Sequence, residues 1–178
     1  MYSDLISLIK DTYPGQKTIN LHEPRLIGNE KRYLEDSINS SYVSSVGPFV
    51  NKLEKKLADY LNIKNVILTT NGTSALHIAL KIAGVKEETE VITQSLTFVA
   101  TSNAIHYCQA NPIFLDVDKK TLGLSASALE NFLHKNSTLD KVGKCWNKKT
   151  KREIVACMPM HTYGFPAEII RIKKICDK

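Results

Sequence analysis

Along the chain, short runs of β-branched and aliphatic residues alternate with longer stretches in which apolar residues return every three or four positions. The clearest case is Asn65 to Gly84, NVILTTNGTSALHIALKIAG. Val66 to Leu68 reads as a short buried strand. Thr69, Thr70, Asn71 and Gly72 then break it with cap and turn formers. From Thr73 the period changes: Ala75, Leu76, Ala79, Leu80 and Ala83 share one helical face, with His77 and Lys81 on the other. Gly84 supplies the C-terminal stop.

The same alternation can be followed from the first residue. Residues 1–20 predict a short helix, then an irregular arm from Tyr13-Pro14-Gly15. Ile19 to Leu21 is a brief apolar start ended by His22-Glu23-Pro24. Asn29 can cap a helix over Glu30–Ser40, where Tyr33, Leu34 and Ile38 repeat at helical spacing. Ser41–Phe49, SYVSSVGPF, is a break, and Val50–Leu61 a second helix with Leu53, Leu57 and Tyr60 as its stripe. Beyond Gly84, Glu90–Gln94 predicts a strand and Ser95 a cap for a helix through Tyr107. Ile113–Val117 is the next strand. Ser127 and Glu130 have capping-box spacing for a helix ending near Lys135, with Ser125 as the alternative cap. Ile154–Met158 forms a fourth strand, and a closing helix carries Ile169, Ile172, Ile175 and Cys176.

Strand–helix repeats in one direction predict an α/β fold with a parallel sheet covered by helices on both faces. Ligands in such sheets sit outside the carboxyl ends of the strands, where Asn71–Ser74, Ser95–Phe98 and His161–Gly164 would gather. The start of the helix at Gly72-Thr73-Ser74 offers free backbone N–H groups and a positive dipole end, which favour a phosphate. A plain structural turn is the competing reading. No Lys follows the turn and no G-x-G-x-x-G occurs, which excludes a Walker loop and a dinucleotide fingerprint. A small phosphorylated cofactor suits such a turn better than a triphosphate.

Composition changes this picture little. The chain has 178 residues, 43% hydrophobic and 24% charged, an ordinary globular balance. Its net charge of +6 is concentrated in Lys141, Lys144, Lys148, Lys149, Lys151 and Arg152, which read as a solvated loop without a nucleic-acid motif. Cys108, Cys145, Cys157 and Cys176 lack CxxC spacing and read as reduced thiols; Cys157 and His161 make only half of a metal site. No apolar stretch is long enough to span a bilayer, and MYSDLISLIKDTY is no signal peptide, so the expectation is a cytoplasmic protein with neither nucleic acid nor membrane as partner.

Four motifs in order, TTNGTSALHIAL, EVITQSLTFVATSNAI, PIFLDVDKKTLGLS and ACMPMHTYGFPAEI, resemble the DegT/StrS family of sugar aminotransferases. Upstream, LHEPRLIGNEKRYLEDSINSSYVSSVG is similar to a LegC-like subgroup acting on UDP-linked 4-keto-6-deoxy sugars in nonulosonic-acid pathways. The resemblance implies the aspartate-aminotransferase fold (fold type I) and pyridoxal 5'-phosphate as cofactor. It places Gly72, Thr73 and Ser74 at the cofactor phosphate and Phe98 on the pyridine ring, where core packing is the alternative. Ser44, Ser45 and Gly47 match the loop contacting the sugar nucleotide. His161 and Tyr163 match a family motif without an assigned step.

The resemblance also implies what lies outside these residues. The Asp that pairs with the pyridinium nitrogen and the Lys that forms the Schiff base come after the last helix, beyond Lys178. The expectation is therefore the N-terminal part of a transaminase, inactive alone: 1–61 as arm, helices and substrate-contacting loop, 62–178 as an incomplete cofactor-binding large domain. In the complete enzyme an amino donor, by resemblance glutamate, and a sugar nucleotide would be the substrates, and a homodimer the assembly. Two rivals stand beside this: a non-catalytic dimerisation partner, and an unrelated α/β domain binding a phosphate ligand.

Overall fold

The computed structural model describes residues 2–20 and 23–178. The apolar start expected at Ile19–Leu21 and its stop at His22 thus lie partly outside the described residues. The chain forms two compact units, Met1–Val66 and Ile67–Lys178.

The first unit is helical. Helix α1 spans Ser3–Thr12, α2 Glu30–Asn39 and α3 Pro48–Leu61. Asn29 occupies the N-cap of α2, but its side chain makes no capping hydrogen bond. Helix α3 begins two residues before the expected Val50, because Pro48 sits in the first turn, where its missing N–H costs nothing. Asn62 ends α3 in the left-handed conformation (φ 52°). Tyr33 of α2 and Phe49 of α3 pack with ring centroids 5.3 Å apart. None of the three helices buries a residue fully.

The second unit is a three-layer α/β structure. Helix α4 (Gly72–Ile82) is followed by β1 (Glu90–Gln94), α5 (Val99–Tyr107), β2 (Asn111–Leu115) and α6 (Ala126–Asn136). Then come β3 (Ser137–Leu139), β4 (Cys145–Asn147), β5 (Glu153–Met158), a 3-10 turn (Thr162–Gly164) and α7 (Ile169–Cys176). The sheet order is β2-β1-β5-β4-β3. Strand β1 runs parallel to β2, pairing Glu90 with Asn111 through Gln94 with Leu115, and parallel to β5 on its other side.

Alternation along β1 divides the core. Val91 points to a cluster with Leu80, Ala104, Ile105 and Cys108, so α4 and α5 cover that face. Ile92 points to Leu124, Leu129, Ala167 and Ile172, so α6 and α7 cover the other. All five residues of β1 are buried, as a central parallel strand requires.

The structure corrects several expectations. Residues 66–68 form no strand of the sheet, and Ile67 is 83% exposed. Their β-branched character supplies local propensity, but the ladder of the five-stranded sheet does not include them. The basic segment is not an open loop: β3 and β4 form a hairpin that adds antiparallel to β5, so the sheet is mixed. Asp140 closes that hairpin by accepting the N–H groups of Val142 and Lys144 and the indole N–H of Trp146, each at 2.9 Å. These bonds, Trp146 foremost, hold its carboxyl below the usual range. Strand β2 ends at Leu115, while Val117 makes only an isolated bridge to Leu124. Ser125, not Ser127, caps α6, its Oγ accepting the Ala128 N–H at 3.2 Å.

Candidate functional site

Helix α4 starts as the residue pattern requires. Asn71 is its N-cap, and Asn71 Oδ1 accepts the Ser74 N–H at 2.8 Å. Thr69 Oγ1 donates to the Asn71 carbonyl at 2.9 Å, which braces the approach to the helix. The Ser74 and Ala75 amides are therefore engaged, whereas those of Gly72 and Thr73 make no hydrogen bond among the described residues. Hydroxyls of Thr70 and Ser74 lie 3.4 Å apart. A Cβ placed on Gly72 would meet nothing within 4 Å. No neighbour among the described residues crowds that position, which leaves room for an anion to approach the two free amides. Gly72, Thr73 and Ser74 are thus brought together in one turn with donors still available, and this turn fits the phosphate of a small cofactor.

The next candidate lies one strand on. Phe98, not Ser95, is the N-cap of α5, and its side chain is 71% exposed. Among the described residues this large aromatic ring is not packed in a core cluster. It remains free to offer a face to a ring. The loop beneath it is fixed by Thr97, whose Oγ1 lies 2.7 Å from Thr101 Oγ1 and 3.2 Å from Met160 Sδ.

The turn after β5 carries His161 and Tyr163. His161, an exposed residue, accepts the Ala167 N–H at Nδ1 at 3.0 Å. Tyr163 is exposed and left-handed (φ 53°), a conformation that costs a non-glycine residue energy and persists only where surroundings impose it. Leu122, in the connection from β2 to α6, is left-handed too (φ 56°). Asp118 holds that connection by accepting the Thr121 and Lys120 N–H groups, which lowers its pKa.

One residue the sequence reading passed over joins these segments. Gln94, the last residue of β1, is fully buried. The two N–H groups on its Nε2 are shared among Leu96 O (2.8 Å), Thr162 Oγ1 (2.9 Å) and, at the longer 3.2 Å, Leu122 O, and its Oε1 accepts the Met160 N–H at 3.0 Å. Thr162 Oγ1 in turn donates to Leu122 O at 2.8 Å. The signal was present in EVITQ: a polar amide at the same parity as Ile92, at a register where the strand is buried on both faces. Gly123 was passed over too. A Cβ there would lie 2.7 Å from Ala167 Cβ and 3.2 Å from Met160 O, so this glycine permits the close approach of the turn.

Ser44, Ser45 and Gly47 belong to the first unit, in the loop between α2 and α3. Ser44 Oγ accepts the Val46 N–H at 3.3 Å, and Gly47 is the N-cap of α3 against Tyr42 Cβ. No group of His, Cys, Asp and Glu among the described residues could hold a metal ion. Nor is any described helix long and apolar enough to cross a membrane.

The chain is 38% identical over 159 residues to the GDP-perosamine synthase of Caulobacter vibrioides, covering 89% of this chain and 36% of that protein. Among solved structures it is similar to a DegT DnrJ EryC1 StrS aminotransferase from Brucella abortus (TM-score 0.69, 27% identity, 88% of this chain and 41% of that one). It shares its fold with ntda from Bacillus subtilis, whose structure holds PMP (TM-score 0.62, 24% identity, 91% and 36%). The chain thus spans well under half the length of these relatives. Relatives of this kind are fold-type-I enzymes that use pyridoxal phosphate. Residues 24–178 match the family model, and the chain belongs to the DegT/DnrJ/EryC1/StrS aminotransferase family.

Proposed function

We propose that this chain provides the cofactor-phosphate and ring contacts of a pyridoxal-phosphate-dependent aminotransferase acting on a 4-keto-6-deoxy sugar nucleotide. The observation that carries this reading is the first turn of α4, with the unengaged amides of Gly72 and Thr73, the hydroxyls of Thr73 and Ser74, and open space over Gly72. When bound, the cofactor supplies an electron sink for moving an amino group. These residues would hold its phosphate, and Phe98 would cover one ring face.

In the finer reading the sugar is UDP-linked and destined for a nonulosonic acid or a cell-surface polysaccharide, with glutamate as donor and two copies forming the enzyme. Ser44, Ser45 and Gly47 would contact the sugar nucleotide. The perosamine synthase relative is named for a GDP-linked sugar, so base preference is the point to measure.

The test uses pyridoxamine 5'-phosphate, which binds without a covalent link. Fluorescence titration of the 178-residue chain should show saturable binding that free phosphate competes away. Titration with UDP and GDP, on wild type and on Ser44→Ala/Ser45→Ala, then reads the nucleotide. No phosphate-competed binding to the chain would refute the assignment of the α4 turn.

A further inference from the structure

Gln94 touches three stretches of chain that are far apart in sequence: Leu96 after β1, Leu122 before α6, and Met160 with Thr162 after β5. The orientation of its amide is fixed by chemistry. Oε1 faces a backbone N–H, and Nε2 faces two carbonyls and a hydroxyl whose own proton is committed to Leu122 O. Every polar atom of the side chain is satisfied, and the residue is fully buried.

Phe98 pairs with no aromatic ring among the described residues, and the backbone at 96–98 sets the point from which its side chain projects. That backbone is held by Gln94 through Leu96 O and by Thr97 through Met160 Sδ. The turn with His161 and Tyr163 is held by the same amide through Met160 N and Thr162 Oγ1. Tyr163 and Leu122, both strained, flank this node.

We propose that Gln94 is a positioning residue that locks the segment carrying Phe98 and the turn carrying His161 and Tyr163 into one unit, so that a bound cofactor ring meets both in a single arrangement. The ring contact rests on the cofactor reading above; the coupling of the two segments does not. A leucine at 94 would fill the volume yet satisfy none of the four partners. A glutamate would keep the acceptor for Met160 N–H but donate only when protonated, and burial among carbonyls favours the protonated form.

Amide hydrogen exchange on the whole chain reads the coupling without ligand. In Q94L, protection should fall about tenfold or more in residues 96–98 and 160–164 together, as loss of a net hydrogen bond implies, with the start of α4 unchanged. In Q94E both segments should regain protection as pH falls, which wild type does not do. Where Q94L fails to fold, the protonated Q94E protein carries the comparison. Titration with pyridoxamine 5'-phosphate supplies the second readout: Q94L should keep its affinity within about threefold, because the phosphate turn is intact, while losing about half or more of the induced circular dichroism of the bound ring. Loosening of one segment only, or of neither, overturns the coupling. Unchanged dichroism with both segments loosened overturns the positioning role. If pyridoxamine 5'-phosphate fails to bind wild type, the cofactor reading and with it the ring-positioning role fall, and exchange alone still decides the coupling.

Discussion

Asn147 Nδ2 donates to Glu90 Oε2 at 2.8 Å, joining β4 to β1 across the strand that lies between them. Both side chains are buried, at 7% and 3% exposure. Asn147 Oδ1 meanwhile accepts the Lys149 N–H at 2.9 Å, so one amide anchors the hairpin to the sheet and shapes the turn that follows it. Asn147→Ala should strip the carboxyl of its donor and lower unfolding free energy by about 2 kcal/mol, the range for a hydrogen bond to a charged group. Asn147→Asp should cost at least as much, because two acceptors then face each other. Urea titrations of both variants check this, and midpoints equal to wild type would show the pair to be incidental.

The phosphate turn makes a sharper prediction. Thr73→Ala and Ser74→Ala each remove a hydroxyl that could donate to an anion, with the helix start otherwise intact. Charge-assisted hydrogen bonds are worth about 1.5–3 kcal/mol, so affinity for pyridoxamine 5'-phosphate should fall roughly tenfold or more per substitution. Asn71→Ala acts differently: it loses the cap to Ser74 N–H, and should cost about 1 kcal/mol of stability. Titration beside thermal melting separates the two effects. Equal affinities in wild type and the double variant would leave the turn a structural one.

Gly123→Ala probes the approach of the turn after β5. The added Cβ would lie 2.7 Å from Ala167 Cβ and 3.2 Å from both Ala167 Cα and Met160 O. Two of these three obstacles are backbone, which cannot swing aside as a long side chain can. Overpacking of this kind costs about 1–3 kcal/mol, and the turn at 160–164 should show the largest chemical-shift changes. Shifts confined to the β2–α6 connection would mean that the strain is absorbed elsewhere.

These contacts mark where sequence was readable and where it was not. Strand β1 was legible to its last residue, because a run of β-branched residues in a fully buried strand leaves one reading open. The start of α4 was legible because Asn71, Gly72 and the change of period agree. Residues 66–68 misled for the opposite reason: propensity is local, whereas membership of the sheet is decided by the ladder, which does not include them. The β3–β4 hairpin was hidden behind its lysines; its strands are three residues each, too short for a pattern, and its closure depends on Asp140 and on Glu90 far away in sequence. Gln94 bonds across separations of 28 to 68 residues, which no window along the chain can contain. Phe98 was placed at the site by resemblance; its exposure is what a reading of periodicity could not give.

Cys157 of β5 and Cys176 in the last turn of α7 line one cavity of about 540 Å³ with Cys145, Leu129 and Ile154. A hydrogen bond from the Cys157 thiol lowers Cys176 from the ordinary 9.0 to about 7, with Lys173 assisting and burial and Asp177 opposing. The same bond, with burial and the charge on Cys176, pushes Cys157 up, and burial raises Cys108 against the opposing charge of Lys81. The thiolate is the nucleophile, so the direction of each shift fixes the order of reaction. Cys176 should alkylate with iodoacetamide at a rate that climbs through pH about 7 and levels off, while Cys157 and Cys108 stay inert in the folded chain. Cys157→Ala removes the donor, and the inflection at Cys176 should move up towards 9.0. Peptide mapping after timed alkylation across pH resolves each site. An inflection for Cys176 that Cys157→Ala leaves in place would show that the hydrogen bond between the two thiols does not set its reactivity.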